Sequence, residues 1–313
     1  MLHPLGNRIA ALCAVASVLT VGQASAQLLF LDAAPRSGLA GKAAGAEIDW
    51  SDECCFAVGA GSMPSAAEES NRSKAYLKAR NSAKTKAVAN LLMAVDGTAV
   101  TCGASVRDLT VKDSALRKLV DERTADAQIV SEKQQAQGSA TVVVVEVRAP
   151  LYGPEGIATA VLKSKPYREA SSAKATGLAV DTRGDPKTST SRAGAKGPFT
   201  SLILDCASLD IEQAISPRIR RADGSELWGA LPRELDFLDE HGVVAYEPSL
   251  DSARRSKRAG GNPLLLKAIG RAGAKFKCDA VVSNPDADLM LRESQASGFL
   301  DRFDVIFVTA SQP

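Results

Sequence analysis

Alanine recurs at steps of four at Ala75, Ala79, Ala83 and Ala87, and Leu91 continues the row. Residues four apart share one face of an α-helix. Side chains this small let that face sit close on a sheet. Tyr76, Val88, Leu92 and Val95 flank the row, while Arg72, Lys74, Lys78, Arg80, Lys84 and Lys86 occupy the rest. The pattern predicts a long helix from Pro64 to Val95, stopped by Asp96-Gly97.

The surroundings read as sheet. A strand is expected from Ile48 to Gly61 before the helix and another from Thr98 to Ala104 after it. A short helix follows around Ala115–Val120. A hairpin then runs up Thr124–Ala136, turns at Gln137-Gly138 and returns along Ser139–Ala149. Its run Thr141–Val147, rich in valine, is the strongest strand signal in the chain. Pro150 stops it, and Gly156–Leu162 reads as one or two helical turns. Residues 48–165 thus form a first module.

Residues 166–197 are rich in Ser, Thr, Ala, Gly and Lys and poor in large apolar side chains, which reads as a flexible, weakly basic linker. Residues 198–313 form a second module. Strands are expected at Leu202–Leu204, Pro217–Arg221, Glu226–Trp228, Val243–Tyr246, Leu264–Ile269, Ala280–Val282 and Val305–Val308. Asp223-Gly224 makes a hairpin turn. Helices are expected at Leu235–Glu240 and from Asn284, as cap, to about Ser294. The fold class is α+β: two small domains, each a mostly antiparallel curled sheet packed with helices.

The first 26 residues set a compartment. Arg8 and the amino terminus precede an apolar run from Ile9 to Val21, and Ala24-Ser25-Ala26 places small residues for cleavage. This is the architecture of a secretory signal peptide, with the mature chain expected to begin at Gln27 and residues 27–47 as a lead-in. The run is too short to span a bilayer, and no second stretch is long and apolar enough. Cys13 follows Leu12 where lipidation wants a small residue, which speaks against a lipid anchor. The expected location is periplasmic or exported, with peripheral envelope association. A formal charge of +2 and 4% aromatic residues argue against nucleic acid as a partner and against broad stacking platforms.

Candidate chemistry is sparse. Val58-Gly59-Ala60-Gly61 between strand and helix imitates a dinucleotide loop, but Pro64 stands where the third glycine belongs. His241 is the only histidine beyond the signal, and no G-x-S-x-G elbow accompanies it. Asn284, Asp286 and Asp288 alternate like a calcium loop without its glycine and final glutamate. No metal or cofactor is expected. Arg254, Arg255, Lys257 and Arg258 precede Gly260-Gly261-Asn262-Pro263 and make the best anion site, with Arg254, Arg255 and Arg258 as its ligands. The cysteines Cys54, Cys55, Cys102, Cys206 and Cys278 are odd in number. The bridges considered are Cys54 or Cys55 with Cys102, and Cys206 with Cys278; the alternative is small buried hydrophobes. A hydrolase would need Asp205, Asp279 and Asp286 to converge.

Two segments carry a family likeness. Val58-Gly59-Ala60-Gly61, the row Ala79 to Ala87, Leu91-Leu92, Val100 to Asp108 and Val142–Val147 resemble the LPP-twenty lipoprotein family and the N-terminal domain of flagellar assembly protein T, over about residues 48–162. The second module resembles a domain that often follows this one in Gram-negative envelope proteins. Phe199–Asp205, Ser216-Pro217-Arg218-Ile219, Asp223-Gly224, Asn262-Pro263-Leu264, Val281–Asn284 and Val305–Val308 carry that likeness, with Ser201 where many relatives have glycine. The resemblance implies a non-enzymatic envelope or flagellum-associated protein with no catalytic residues. Its partners would be other envelope or flagellar proteins, with peptidoglycan as a further candidate. The alternative function is a periplasmic anion- or glycan-binding module.

Overall fold

The computed structural model describes residues 45–309 except 139, 173–176, 192–196, 232–234 and 240. The expected signal peptide and most of the lead-in lie outside the described residues. The fold is α+β.

In the first module β1 (Gly45–Asp49), β2 (Cys54–Ser62), β5 (Gln128–Gln137) and β6 (Ala140–Pro150) form an antiparallel sheet in the order β1-β2-β6-β5. Helix α1 (Arg72–Gly97) lies across it, burying Ala75, Ala79, Ala83, Ala87, Leu91 and Val95, the expected stripe. The facing strand β2 carries Gly59 and Gly61 under the helix. A Cβ at Gly59 would overlap the Ala83 carbonyl and Ala87 amide, and one at Gly61 the Ala79 carbonyl. Asn90 Nδ2 also donates to the Val58 carbonyl at 2.8 Å.

The helix begins at Arg72 rather than Pro64. Asn71 is its cap, accepting from the Lys74 amide at 3.1 Å. The earlier residues close a separate turn, in which the Ser65 amide and hydroxyl both donate to Glu68. The following β3 (Ala99–Thr101) and β4 (Ala104–Ser105) lead into α2 (Val106–Thr110), whose capping box joins Ser105 to Asp108. Helix α3 (Ser114–Ala125) precedes the hairpin, and α4 (Ile157–Lys163) follows it.

The expected linker is largely folded. Helix α5 (Lys165–Ser172) buries Tyr167, whose hydroxyl meets that of Ser216 at 2.8 Å. Strand β7 (Ala179–Thr182) pairs with β13 (Gly270–Gly273). A polar composition suffices here because an edge strand is held by backbone hydrogen bonds and needs few apolar side chains.

The second module differs from an antiparallel expectation. Strands β8 (Ser201–Asp205), β11 (Ala245–Glu247), β12 (Pro263–Lys267) and β15 (Val305–Val308) form a fully parallel sheet, ordered β11-β15-β8-β12. Parallel neighbours require crossovers. One is α6 (Leu250–Arg255), between β11 and β12; its Ala253 packs on Ile203, Ile306 and Val308. The connection from β12 to β15 ends in α7 (Asn284–Ser297), capped by Ser283 rather than Asn284 and ended by left-handed Gly298, whereas that from β8 to β11 contains no α-helix among the described residues. A second, mixed sheet runs β10-β9-β14-β13-β7, with β9 Ile219–Arg221, β10 Glu226–Trp228 and β14 Asp279–Val282.

The modules share one continuous core rather than hanging on a tether. The Ile215 amide donates to Ala99 and the Gly153 amide to Leu238. Tyr246 packs edge-on against Trp50 and donates its hydroxyl to the Ala214 carbonyl at 3.0 Å.

Candidate functional site

The expected anion loop does not gather its three arginines. Arg254 and Arg255 sit in the exposed last turn of α6, but Arg258 turns inward. Its side chain is 8% exposed and pairs with Glu53 at 3.5 Å. Burial lowers its pKa from the ordinary value, against the opposing pull of Glu53. The neighbouring Ala259 carbonyl accepts both Thr200 Oγ1 and Ser201 Oγ, so the hydroxyl of Ser201 fastens the loop to β8. Packing of Ala259 in the core rotates Arg258 away from its basic neighbours, which sequence spacing alone does not reveal.

The expected disulfides are not formed: all five described cysteines are buried free thiols. Cys55 lies in the large core, whereas Cys102 and Cys278 share a smaller cluster with Ala99 and Ala214 at the junction of the modules. Cys206 is buried beyond the end of β8, in the large core. Burial raises the pKa of each thiol above its ordinary value; for Cys54 the Arg148 guanidinium opposes this. Since the thiolate is the reactive form, native protein is expected to show little reaction with Ellman's reagent over minutes, and all five thiols should react in guanidinium. Rapid native labelling of any of them would contradict the packing.

The three aspartates serve separate structural tasks. Asp205 accepts from the Ala207 amide at 3.1 Å. Asp279, fully buried, accepts from Arg220 Nε at 2.6 Å and the Arg218 amide at 3.0 Å. Asp286, also fully buried, accepts from Ser189 Oγ (2.5 Å), Thr190 N (2.8 Å), Thr190 Oγ1 (2.7 Å) and Ser283 Oγ (2.8 Å). Asp288 pairs instead with Arg221 at 2.6 Å. Among the described residues no group of three or more His, Cys, Asp or Glu is placed to hold a metal. His241 sits beside the Gly242 carbonyl, with its ring tilted 5.8 Å from that of Phe237.

Sequence reading missed the role of Asp286: it fastens the segment after β7 to the start of α7. Only the pattern Ser283-x-x-Asp286 hinted at it. Burial pushes the carboxyl upward, but the Ser189, Thr190 and Ser283 donors outweigh this and hold it below the ordinary value. A depressed folded pKa stabilises the fold above the unfolded value of about 3.9, and the contribution fades as pH falls through the lower folded value. As pH falls below about 4, Asp286→Asn is therefore expected to lose less stability than the parent, measured by urea denaturation. Parallel curves would contradict this role.

The segment fastened by Asp286 roofs the larger of two described cavities. About 530 Å³ lies between residues 183–190 and the ends of β8 and β12, lined in part by Arg183, Lys267, Leu209, Ala268 and Ile269. The other, about 350 Å³, lies at the junction of the modules beside Trp50, Thr98 and Phe276.

Residues 201–311, which include the whole parallel sheet, match the family described as the second domain of Treponema pallidum Tp0624. No curated protein matches the chain.

Proposed function

We propose that this is a non-enzymatic, exported cell-envelope protein that serves by docking on other envelope components. The observation that carries this reading is the use made of its buried ionisable groups. Arg220 with Asp279, Arg258 with Glu53, and Asp286 with its hydroxyl donors each join separate segments of the fold. Ionic chemistry of this kind fixes a scaffold rather than poising a proton or a nucleophile. The signal-peptide pattern at Met1–Ala26 supports export. The likeness to the LPP-twenty and flagellar assembly families supports an envelope setting, with flagellar association as its narrowest form.

Cell fractionation tests the location. The protein is expected in the periplasmic or envelope fraction with Gln27 as its first residue by N-terminal sequencing. Cross-linked envelopes should yield defined protein partners. An intact, unprocessed chain in the cytosol would overturn the reading.

A further inference from the structure

We infer that the cavity beneath residues 183–190 binds the free carboxylate end of a short peptide with small apolar side chains. The inference deepens the envelope reading and rests on it for access to such a ligand.

Its position is the first argument. Ser208 and Leu209 follow β8, and Lys267, Ala268 and Ile269 end or follow β12; these strands are adjacent and parallel, with Lys267 opposite Asp205. The carboxyl edge of a parallel sheet is where such folds open clefts for ligands. A volume of about 530 Å³ lies within the range of small-ligand sites.

The second argument is preorganisation. The amides of Arg183 and Gly184 both donate to the Ile269 carbonyl, at 2.7 and 2.9 Å. A side chain at Gly184 would run into Ile269. At the other end Thr190 Oγ1 accepts from the Lys267 amide at 2.9 Å while its single proton goes to Asp286 at 2.7 Å, tying the segment to both β12 and α7. The roof is thus fastened at both ends, which reduces the ordering cost of binding.

The third argument is the chemistry of the wall. Leu209, Ala268 and Ile269 supply apolar surface, and the one acid among the lining residues, Asp185, is already engaged by the Lys187 amide at 2.9 Å and the Thr188 hydroxyl at 2.8 Å. The Lys267 ammonium has no ion pair among the described residues; Arg183 Nη1 donates to the Ser208 carbonyl at 3.1 Å, which holds the guanidinium at the cavity wall, and its ion pairs to Asp181 (3.9 Å) and Asp210 (3.7 Å) are long and exposed. Exposed pairs of that length hold a guanidinium weakly. A carboxylate between Arg183 and Lys267 would gain charge-assisted hydrogen bonds. No aromatic ring lines the cavity, which favours a peptide over a sugar that would stack.

Peptidoglycan stem peptides, which end in D-alanine, and protein C-termini share this chemistry. The test is titration of the purified protein, by calorimetry or NMR, with diacetyl-L-Lys-D-Ala-D-Ala, its C-terminal amide and its all-L isomer. Saturable binding of a free acid is expected, at least about tenfold weaker for the amide. Arg183→Ala with Lys267→Ala should weaken binding by at least about tenfold at an unchanged Tm, because both side chains are exposed. Preference for the D form assigns the site to stem peptides, and preference for the L form to protein C-termini. No saturable binding of either acid at millimolar concentration, or equal binding by amide and acid, would overturn the inference. That result would leave the fractionation test of the envelope reading untouched.

Discussion

Replacing Gly61 with alanine is expected to destabilise the protein by about 3 kcal/mol, a large effect for one methyl group. The added carbon would fall on the Ala79 carbonyl and the Ala83 amide of α1. Both are backbone atoms within a continuous helical hydrogen-bond ladder, so no rotamer change relieves the overlap. The strand cannot easily retreat either, because Gly61 is paired with Val143 of β6. The helix would have to lift, opening contacts along Ala79, Ala83 and Ala87, all of which are essentially unexposed. Gly59→Ala meets the same obstacle one turn further on, at Ala83 and Ala87. Gly97→Ala is the control: a Cβ there has nothing within 4 Å, and the residue ends the same helix. Urea denaturation should place Gly61→Ala and Gly59→Ala far below the parent, with Gly97→Ala within about 0.5 kcal/mol of it. A Gly61→Ala variant as stable as the parent would mean that α1 does not lie this close to β2.

The same glycines illustrate how far the sequence could be read. The alanine row announces a close-packed helix face because its period of four is a local property. The glycines that receive it sit in a strand-to-helix arrangement that also imitates a nucleotide loop, and only the helix backbone above them distinguishes the two. Strand existence in the second module was similarly legible, since Leu202–Leu204 and Val305–Val308 are short apolar runs. Their parallel direction was not: it follows from the crossovers through α6 and α7, and strands of three to five residues carry no signal of orientation. The segment after residue 165 looked unfolded because composition reports apolar burial, whereas β7 and Thr190 are held by backbone and hydroxyl hydrogen bonds. The candidate site shifted for a related reason. Arg254, Arg255 and Arg258 are close in sequence, but Arg258 packs inward; Arg183 and Lys267 are far apart in sequence and line one cavity.

Removing the carboxylate of Asp279 is expected to cost about 3–5 kcal/mol, the usual penalty for leaving a buried charge without its partner. Asp279 opens β14 with no exposed surface, and Arg220 on the adjacent parallel strand β9 reaches it at 2.6 Å. Burial alone would lower the pKa of the Arg220 guanidinium, but Asp279 reverses this and raises it, so the arginine stays charged in place. In Asp279→Ala that charge remains buried, with Glu226 at 3.9 Å as its nearest other anion. Glu226 is already engaged by Arg218, so it cannot substitute fully. The Arg218 amide loses its acceptor as well. Arg220→Met combined with Asp279→Leu should restore much of the loss, because two apolar side chains leave no uncompensated ion. Denaturant titration of the single and double variants measures the coupling directly. Strictly additive costs, or a loss below about 1 kcal/mol for Asp279→Ala, would show that solvent reaches this pair and that the β9–β14 seam does not depend on it.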